Sequence, residues 1–315
     1  MELVINQNPV AMIQDEVDEI KITSRNFIEA NTAKVTLNHL KNDCIIPVFS
    51  KDNESTISHY QFIEKTMEVA KSLFPNQKIS TPDIRVSHIV KGRIPSAIGK
   101  PAKELMEHEK TIYYERMAFI IEIPELTQRI NNNLLKLTIG GVRSYSQENL
   151  YSKKSLEKFK VFIGFNNLVC TNLCISTDGF SNNIRIGSIL DLEEQVFNLV
   201  SGYNQEKHID MMKNTANYSL SEEQFAHLVG KLRMLTSAPK NESNVNFPIG
   251  LTDSQVTSVV KQYYNCPNFK RETDGSIKLW NLYQIFSEAN KSSYIDNNLE
   301  RNVNAYQLID NLGNS

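Results

Sequence analysis

The sequence predicts an α+β fold: an antiparallel β-meander of about four strands, with flanking helices and a mostly helical C-terminal half. Strand-type runs fall within residues 112–176, whereas helical apolar spacing dominates after residue 189. Strands that precede the helices, instead of alternating with them, are typical of α+β folds. We expect one domain over residues 41–315, preceded by a loosely packed, acidic N-terminal arm over residues 1–40.

The first predicted helix begins after Ser58. Ser58 and Gln61 have the spacing of a capping box, and Ile57 and Phe62 are placed to pack against each other as a hydrophobic staple. Apolar residues then follow at near-helical spacing until Pro75, which lacks a backbone N–H and ends the helix.

Two runs predict the first half of the meander. Residues 112–123 are rich in β-branched and aromatic side chains with little polar alternation, which suits a central strand. Residues 134–139 alternate between apolar and polar side chains, as a half-buried strand does. Gly140 and Gly141 follow directly, and this pair predicts a bulge or a bend.

The second half of the meander is a predicted hairpin. The pair Asn166-Asn167 is a plausible turn from a strand over residues 158–165 into a strand over residues 168–176. The first of these strands has one wholly apolar face and a second face that carries two lysines. The apolar face holds Phe159, Val161, Ile163 and Phe165, and the second holds Lys158, Lys160 and Phe162.

The C-terminal half is predicted to be helical. Residues 189–203 are amphipathic, and capping boxes begin helices over residues 222–236 and 253–264. A surface loop, rich in Asn, Ser and Pro, is expected between the last two, over residues 237–250. Residues 277–288, which contain the only tryptophan, predict the last helix.

The charge of the chain is balanced, with one local exception. There are 34 basic and 36 acidic side chains, which argues against a polybasic protein, but Arg85 to Lys103 contains five basic residues and no acidic one. Its GRIPSAIGK run is not a phosphate-binding loop, because six residues separate Gly92 from Gly99 and a proline follows where that loop needs Ser or Thr. Any affinity for nucleic acid would therefore come from a local patch.

Basic side chains interleaved with aromatic rings are the pattern of single-strand nucleic-acid binders, in which cations follow the backbone and bases stack on rings. The alternative is a solvated sheet face along which lysines extend their aliphatic stems. In the first case arginines and lysines contact phosphates, and tyrosine and phenylalanine rings form a stacking platform. The predicted residues are Arg85, His88, Lys91, Arg93, Lys100, Lys103, Tyr113, Tyr114, Lys136, Lys158, Lys160 and Phe162.

Motifs for catalysis are missing from the sequence, so no catalytic residue, metal site or cofactor is predicted, and a non-enzymatic role is favoured while catalysis stays open. Cys170 and Cys174, if they share a strand, lie roughly 13 Å apart, too far to bind one ion. The nearest approach to a nuclease pattern, around Glu107, Glu109 and Lys110, lacks the carboxylate-x-lysine spacing. A metal-dependent nuclease is the third hypothesis for function, because distant residues can still assemble a site.

The N-terminus has neither the basic nor the apolar region of a signal peptide, and no stretch approaches the roughly 20 apolar residues that cross a bilayer. The four cysteines are too few and too scattered for a disulfide framework. We therefore expect a cytoplasmic protein that has no membrane partner.

Six long runs carry a family resemblance that covers most of the chain after about residue 40. They are IPVFSKDNESTISHYQFI (46–63), DIRVSHIVKGRIPSAIGKPAKEL (83–105), TIYYERMAFIIEIP (111–124), LTIGGVRSYSQENLYS (137–152), FKVFIGFNNLVCTNLCISTDG (159–179) and NKSSYIDNNLERNVNA (290–305). In these runs the chain resembles an uncharacterised domain-of-unknown-function family of Bacteroidetes, whose members lie among plasmid, phage and conjugative-element genes. A weaker likeness, in Val169 to Asn172 and Trp280 to Leu282, extends to a broader plasmid- and phage-borne family.

The resemblance implies a mobile-element context and no particular reaction. The first hypothesis is a non-enzymatic protein that binds or anneals single-stranded DNA or RNA, through the basic stretch and the polar face of the meander. The alternative is a protein-interaction module that binds a host or element partner, or a second copy of itself, and no nucleic acid. Its predicted partner surface is the C-terminal segment with Tyr294, Arg301 and Tyr306, and the alternative for this segment is a helical cap on the core.

Overall fold

The computed structural model describes residues 4–5, 26–44, 56–97, 99–148, 156–238 and 250–313. Much of the predicted N-terminal arm and nearly all of the predicted loop 237–250 lie outside these residues. The helices and strands are β1 (Val4–Ile5), β2 (Ala33–Val35), α1 (Leu37–Asn42), α2 (His59–Leu73), β3 (Asp83–Val86), β4 (Ile89–Arg93), β5 (Lys110–Tyr114), β6 (Arg116–Ile130), β7 (Asn133–Ser144), β8 (Glu157–Asn167), β9 (Asn172–Cys174), β10 (Phe180–Ile186), α3 (Ile189–Gly202), α4 (Gln205–Thr215), β11 (Tyr218–Leu220), α5 (Glu222–Ser237), α6 (Asp253–Asn265), β12 (Ile277–Lys278), α7 (Leu279–Asn290) and α8 (Ile295–Gly313).

The central feature is a seven-stranded antiparallel sheet in the order β10-β8-β7-β6-β3-β2, with β9 paired to the end of β8. This confirms the α+β class, and the predicted meander falls in its middle part, β6 to β9. The turn predicted at Asn166-Asn167 is wrong, because both residues pair with β9 and the turn follows over residues 168–171. The predicted number of about four strands is too low, because short β2 and β3 extend one edge and polar β10 extends the other. Two small sheets complete the strands: β1-β11-β12 and the pair β4-β5.

β7 passes through Gly140 and Gly141 without any shift of register, so the bulge predicted there is wrong. The glycines are instead required by close neighbours. A Cβ on Gly140 would lie 2.2 Å from the carbonyl oxygen of Phe119 and 2.7 Å from the ring of Phe162. A Cβ on Gly141 would lie 2.5 Å from the ring of Phe62, on the opposite face of the sheet. The pair therefore lets two aromatic rings rest on the backbone of β7.

The irregularity lies in the neighbouring strand, β6, where the register shifts between Ile123 and Thr127. Pro124 falls within this interval and has no backbone N–H to donate to a strand partner. The sheet therefore bends next to a residue that cannot complete the hydrogen-bonding ladder.

The first face of the sheet packs against α2 and α3. The ring of Phe62 on α2 meets Phe119 and Phe159 edge-on, with ring centroids 5.0 and 4.8 Å apart. Leu192 and Val196 of α3 are fully buried in the same cluster. The predicted apolar face of the strand over residues 158–165 is thus confirmed as the main core.

The second face of the sheet is covered by α8. Ile295, Leu299 and Val303 of this helix pack with Phe162 and Ala118 in a separate apolar cluster. This face is therefore not the solvated polar surface that the lysines of β8 predict. Phe162 is 1 % exposed, because a helix more than a hundred residues further along the chain covers it.

Helices α3, α5 and α6 lie where the sequence predicts them, and the capping boxes of α2, α5 and α6 are all formed. The expectation that residues 277–288 form the last helix is wrong, since α8 follows α7. Asparagines that are poor helix formers join these two helices. The side chain of Asn290 donates to the carbonyl of Asn298 (2.7 Å), and that of Asn298 donates back to the carbonyl of Asn290 (3.2 Å).

The end of the predicted N-terminal arm is part of this packed body. Phe27 and Ile28 are buried in the α8 cluster, and β2 pairs with β3 at the edge of the sheet. The backbone N–H groups of Glu29 and Ala30 donate to the carbonyl of Lys291, at 2.9 and 3.3 Å. Residues 26–35 therefore bridge the sheet edge and the α7–α8 corner.

A buried ion-pair cluster holds the start of α2 against the sheet. Arg143 on β7 is 1 % exposed and binds the carboxylates of Glu148 and Glu157 and the carbonyl of Ile57. Glu157 in turn accepts the N–H of Ile57 with both oxygens, at 3.2 and 3.1 Å. Because buried charges are tolerated only when they are paired, this cluster fixes the entry to α2.

Candidate nucleic-acid interface

The basic stretch lies on a β-ribbon that continues beyond the main sheet. Val86 of β3 lies opposite Met117 of β6, and Ile89 of β4 lies opposite Tyr114 of β5, so both pairs share one register. Between the two pairs, the N–H of Ser87 donates to the carbonyl of Arg116 at 3.0 Å. The neighbouring strand, β7, ends opposite Arg116, so the ribbon continues beyond the main sheet. We call residues 89–114 the ribbon arm.

The tip of the ribbon arm is tied together by Glu109. This carboxylate is 8 % exposed, binds the ammonium of Lys100 and accepts the N–H of Met106 at 3.0 Å. The hydrogen bond from Lys100 lowers the pKa of Glu109, so the carboxylate is charged at neutral pH. The guanidinium of Arg93, at the end of β4, donates to the carbonyl of Lys100 and so ties the loop of the tip to the strand. Short 3₁₀ turns and these hydrogen bonds therefore give the tip a defined conformation.

The ribbon arm concentrates positive charge. It carries five basic and three acidic side chains, in a chain whose net charge is −2. Lys100 and Lys110 are paired with glutamates of the tip. Lys91 and Lys103 are exposed and form no ion pair with any residue that the structure describes. These two lysines and Arg93 are the cations of the arm that are not bound to a described carboxylate.

A cavity of about 480 Å³ opens between the ribbon arm and the end of α1. Three cations stand on its walls, together with apolar side chains and one aspartate that follows α1. Its principal lining residues are Asp43, Lys91, Arg93, Leu105, Lys110 and Ile112.

Arg85 does not belong to this surface. It is 8 % exposed, and its guanidinium donates to the Thr32 hydroxyl (3.1 Å), the Thr32 carbonyl (2.8 Å) and the Asn26 side chain (3.3 Å). Its predicted contact with phosphate is therefore corrected: Arg85 fastens the N-terminal segment to the edge of the sheet. His88 is exposed at the base of the arm and lies 3.3 Å from Glu115.

The two predicted stacking tyrosines of the arm face inward. Tyr114 is 6 % exposed, and its hydroxyl lies 3.0 Å from the Nε2 atom of His39. Tyr113 is half-buried with its ring against Tyr145, at a centroid distance of 6.0 Å. Their hydroxyls and ring edges thus belong to the packing at the base of the arm.

The predicted platform on the second sheet face is not assembled as a surface. Lys160 donates to the carbonyl of Asp296 at 2.7 Å under α8, and Phe162 is buried beside it. Lys136 pairs with Glu122 at 3.2 Å. Lys158 is half-buried at the β8–β10 edge. The structure therefore brings together Lys91, Arg93, Lys100 and Lys103 and separates them from these residues.

The predicted partner surface is mostly interior as well. Tyr306 is 6 % exposed, and Arg301 donates to the side chains of Gln255 (2.9 Å) and Ser293 (2.6 Å). Tyr294 alone of the three stands out, with 72 % of its surface exposed. The long C-terminal motif is therefore chiefly the α7–α8 corner.

Sequence reasoning missed the contribution of α1. Thr36 caps this helix by accepting the N–H of His39 at 3.2 Å, a signal that could have located it. Nothing in the sequence places Asp43, which follows α1, beside the ribbon arm, because the contact joins segments about 50 residues apart. Within the described ranges, no group of three or more His, Cys, Asp and Glu side chains is arranged to hold a metal ion. None of the described helices is both long and apolar enough to cross a membrane.

A family model described as "Domain of unknown function, B. Theta Gene description (DUF3871)" matches residues 9–315. No curated protein and no solved structure matches the chain. Since the family match spans almost the whole sequence, the chain belongs to this family.

Proposed function

We propose that this member of the DUF3871 family binds single-stranded nucleic acid along the ribbon arm, without catalysing a reaction. One observation carries the proposal: a β-ribbon extends past the main sheet and collects five basic side chains in a chain of net charge −2. A strand of nucleic acid binds wherever cations can replace the counterions of its phosphates. On the arm, Lys91 and Arg93 line one cavity, and Lys100 and Lys103 follow in the tip.

Phosphate contacts come first from the cations that have no carboxylate partner. Lys91 and Lys103 are exposed, so they bind phosphate without first breaking an ion pair. Arg93 lines the cavity beside the arm and holds the tip through the carbonyl of Lys100, and its guanidinium matches the geometry of phosphate oxygens. Lys100 contributes after its pairing with Glu109 is shared with the strand.

Apolar and ring-bearing side chains on the arm favour a single strand over a duplex. Ile89 is 51 % exposed at the base of the arm, and Met106 (60 % exposed) and His108 are exposed in the tip. Unpaired bases pack on such groups, whereas a duplex keeps its bases stacked inside. These residues replace the aromatic platform that the sequence predicts on the sheet.

The family resemblance supports this use. A mobile-element context supplies single strands, since such elements are moved and copied as DNA. A curved antiparallel sheet followed by a helix is also the kind of core that annealing proteins use, which is an analogy of fold only.

The experiment is fluorescence anisotropy with a labelled dT oligonucleotide and with a duplex, at several salt concentrations. The test variant is Lys91→Ala/Lys103→Ala, and the matched control is Lys207→Ala/Lys213→Ala, which removes the same charge from the exposed side of α4. We expect the single strand to bind more tightly than the duplex. The test variant loses affinity and its salt slope falls by about 1.4, since each single-strand contact contributes about 0.7.

The control variant should retain both the affinity and the slope of the parent. Binding that does not change with salt, or equal losses in the two variants, would show that the arm is not the binding surface.

The second candidate function is protein binding at Tyr294. This ring is 72 % exposed, next to Arg116, which joins the base of the arm to α8 through Asp296 at 2.7 Å. Exposed aromatic rings beside arginine are typical of recognition surfaces. This function is favoured if a nuclease-resistant complex forms from a host lysate and Tyr294→Ala abolishes it, while no oligonucleotide binds.

A further inference from the structure

The cavity beside the ribbon arm contains one acidic side chain among three cations. Lys91, Arg93 and Lys110 stand on its walls with Asp43, which follows α1 and has 59 % of its side chain exposed. A carboxylate would weaken the binding of a ligand that consisted of phosphate alone, because the two negative charges repel each other. Asp43 therefore suggests a ligand that carries hydrogen-bond donors as well as negative charge.

The carboxylate of Asp43 is held in a fixed direction. Its Oδ2 atom accepts a hydrogen bond from Nδ1 of His39 at 2.7 Å, and Nε2 of His39 lies 3.0 Å from the hydroxyl of Tyr114. A carboxylate can only accept, so Nδ1 of His39 carries a proton and donates it to Asp43. Since Tyr114 belongs to the arm and His39 to α1, these hydrogen bonds also connect the two sides of the cavity.

A carboxylate with one orientation can select among bases by their edges. Guanine presents two adjacent donors, N1–H and the exocyclic amino group, which match the two oxygens of a carboxylate. Adenine and cytosine present an amino group next to an acceptor nitrogen, and thymine and uracil present one N–H between two carbonyls. Those acceptors would face the carboxylate and repel it.

We propose that this cavity binds a guanine nucleotide, with Asp43 accepting the two donors of the base and Lys91 and Arg93 binding its phosphate. The proposal rests on the function proposed for the same arm and names the base that it prefers. Leu105 and Ile112 supply apolar walls for the ring, and the volume of about 480 Å³ falls within the range of small-molecule sites, about 300–1,000 Å³. His39 is a positioning residue that acts through Asp43.

The same chemistry fits two sources: a guanine within a strand, or a free guanine mononucleotide. Both arms of the experiment use the full chain. The first measures anisotropy of labelled dT oligonucleotides that contain one central guanine, adenine, cytosine or hypoxanthine. The second measures displacement of the guanine-containing strand by GMP, with AMP as the reference. Displacement by GMP alone shows that the free nucleotide also enters the cavity.

We expect the guanine strand to bind roughly 5- to 100-fold more tightly than the adenine strand, as for other bidentate base contacts. Hypoxanthine, which lacks the amino group, should lose most of this preference. Asp43→Asn should abolish the preference while it preserves binding of plain dT, and Asp210→Asn, an exposed aspartate on α4, serves as the matched control. His39→Gln should weaken the preference and leave plain dT binding intact.

Equal affinity for all four strands, or a guanine preference that survives in Asp43→Asn, overturns the inference. Failure of the proposed function gives a different result: no strand binds at all. In that case GMP binding is measured directly by isothermal titration calorimetry: binding that is lost in Asp43→Asn would still support the cavity as a guanine site, and no GMP binding would overturn the inference.

Discussion

Truncation of Phe162 separates the two interpretations of the second sheet face. The sequence places this ring on a polar, base-stacking platform, whereas the structure buries it under α8 with 1 % of its surface exposed. Burial of a phenylalanine side chain is worth about 2–3 kcal/mol, and the cavity left by removal of the ring adds to this. We therefore expect Phe162→Ala to lower the free energy of unfolding by about 4 kcal/mol.

The assay is urea denaturation followed by far-UV circular dichroism. With an m-value of about 3 kcal/mol/M, the loss corresponds to a fall of about 1.3 M in the midpoint. Phe197→Ala on α3 is the control, because this ring is 42 % exposed, and it should change stability by less than about 1 kcal/mol.

The opposite result has a distinct signature. A stacking ring at the surface would leave stability within about 0.5 kcal/mol, and its loss would cost about 1–3 kcal/mol of oligonucleotide binding. A Phe162→Ala protein with an unchanged midpoint and weakened binding would refute the assignment of this face to the core.

Three further predictions concern stability. His59 and His208 are buried, and desolvation lowers the pKa of each to about 3, so folding opposes their protonation. The free energy of unfolding should therefore fall by about 2 kcal/mol per histidine between pH 7 and pH 5. Urea denaturation at the two pH values checks this, and each His→Gln variant should reduce the loss. Arg143→Ala leaves two buried carboxylates unpaired and should cost about 3–5 kcal/mol in urea denaturation, part of it recovered in the Arg143→Ala/Glu157→Gln double variant, which neutralises one of the two carboxylates. Gly140→Ala should lower the free energy of unfolding, whereas Gly230→Ala on helix α5, whose Cβ would meet nothing within 4 Å, should leave it unchanged or raise it by up to about 1 kcal/mol, and equal urea midpoints for the two variants would contradict the close packing on β7.

Local patterns predicted the elements whose causes are local. The capping box of Ser58 and Gln61 and the alternation of Phe159 to Phe165 depend on residues a few positions apart, and both appear in the structure as predicted. The asparagine-rich α8 was predicted only as the alternative to a partner surface, because its stability comes from packing on the sheet and from bonds such as that between Asn290 and Asn298. Propensity is a weak guide where tertiary contacts dominate.

The candidate site could be predicted only in part. The charge of Lys91, Arg93, Lys100 and Lys103 is visible in the sequence, and the structure places these residues on one arm. Arg85 belongs to the same run of basic residues, but its hydrogen bonds to Thr32 hold its side chain inside the protein. Strand register and the approach of α1 depend on pairings between distant segments, for which a single sequence carries no signal.

The most direct test of the central claim is photocrosslinking of the full chain to a single-stranded oligonucleotide that contains 5-bromouracil, with the crosslinked peptides identified by mass spectrometry. We expect crosslinks within residues 89–114, reduced by high salt and by Lys91→Ala/Lys103→Ala. Crosslinks confined to other surfaces, such as that around Tyr294, or crosslinks that both changes leave intact, would contradict it.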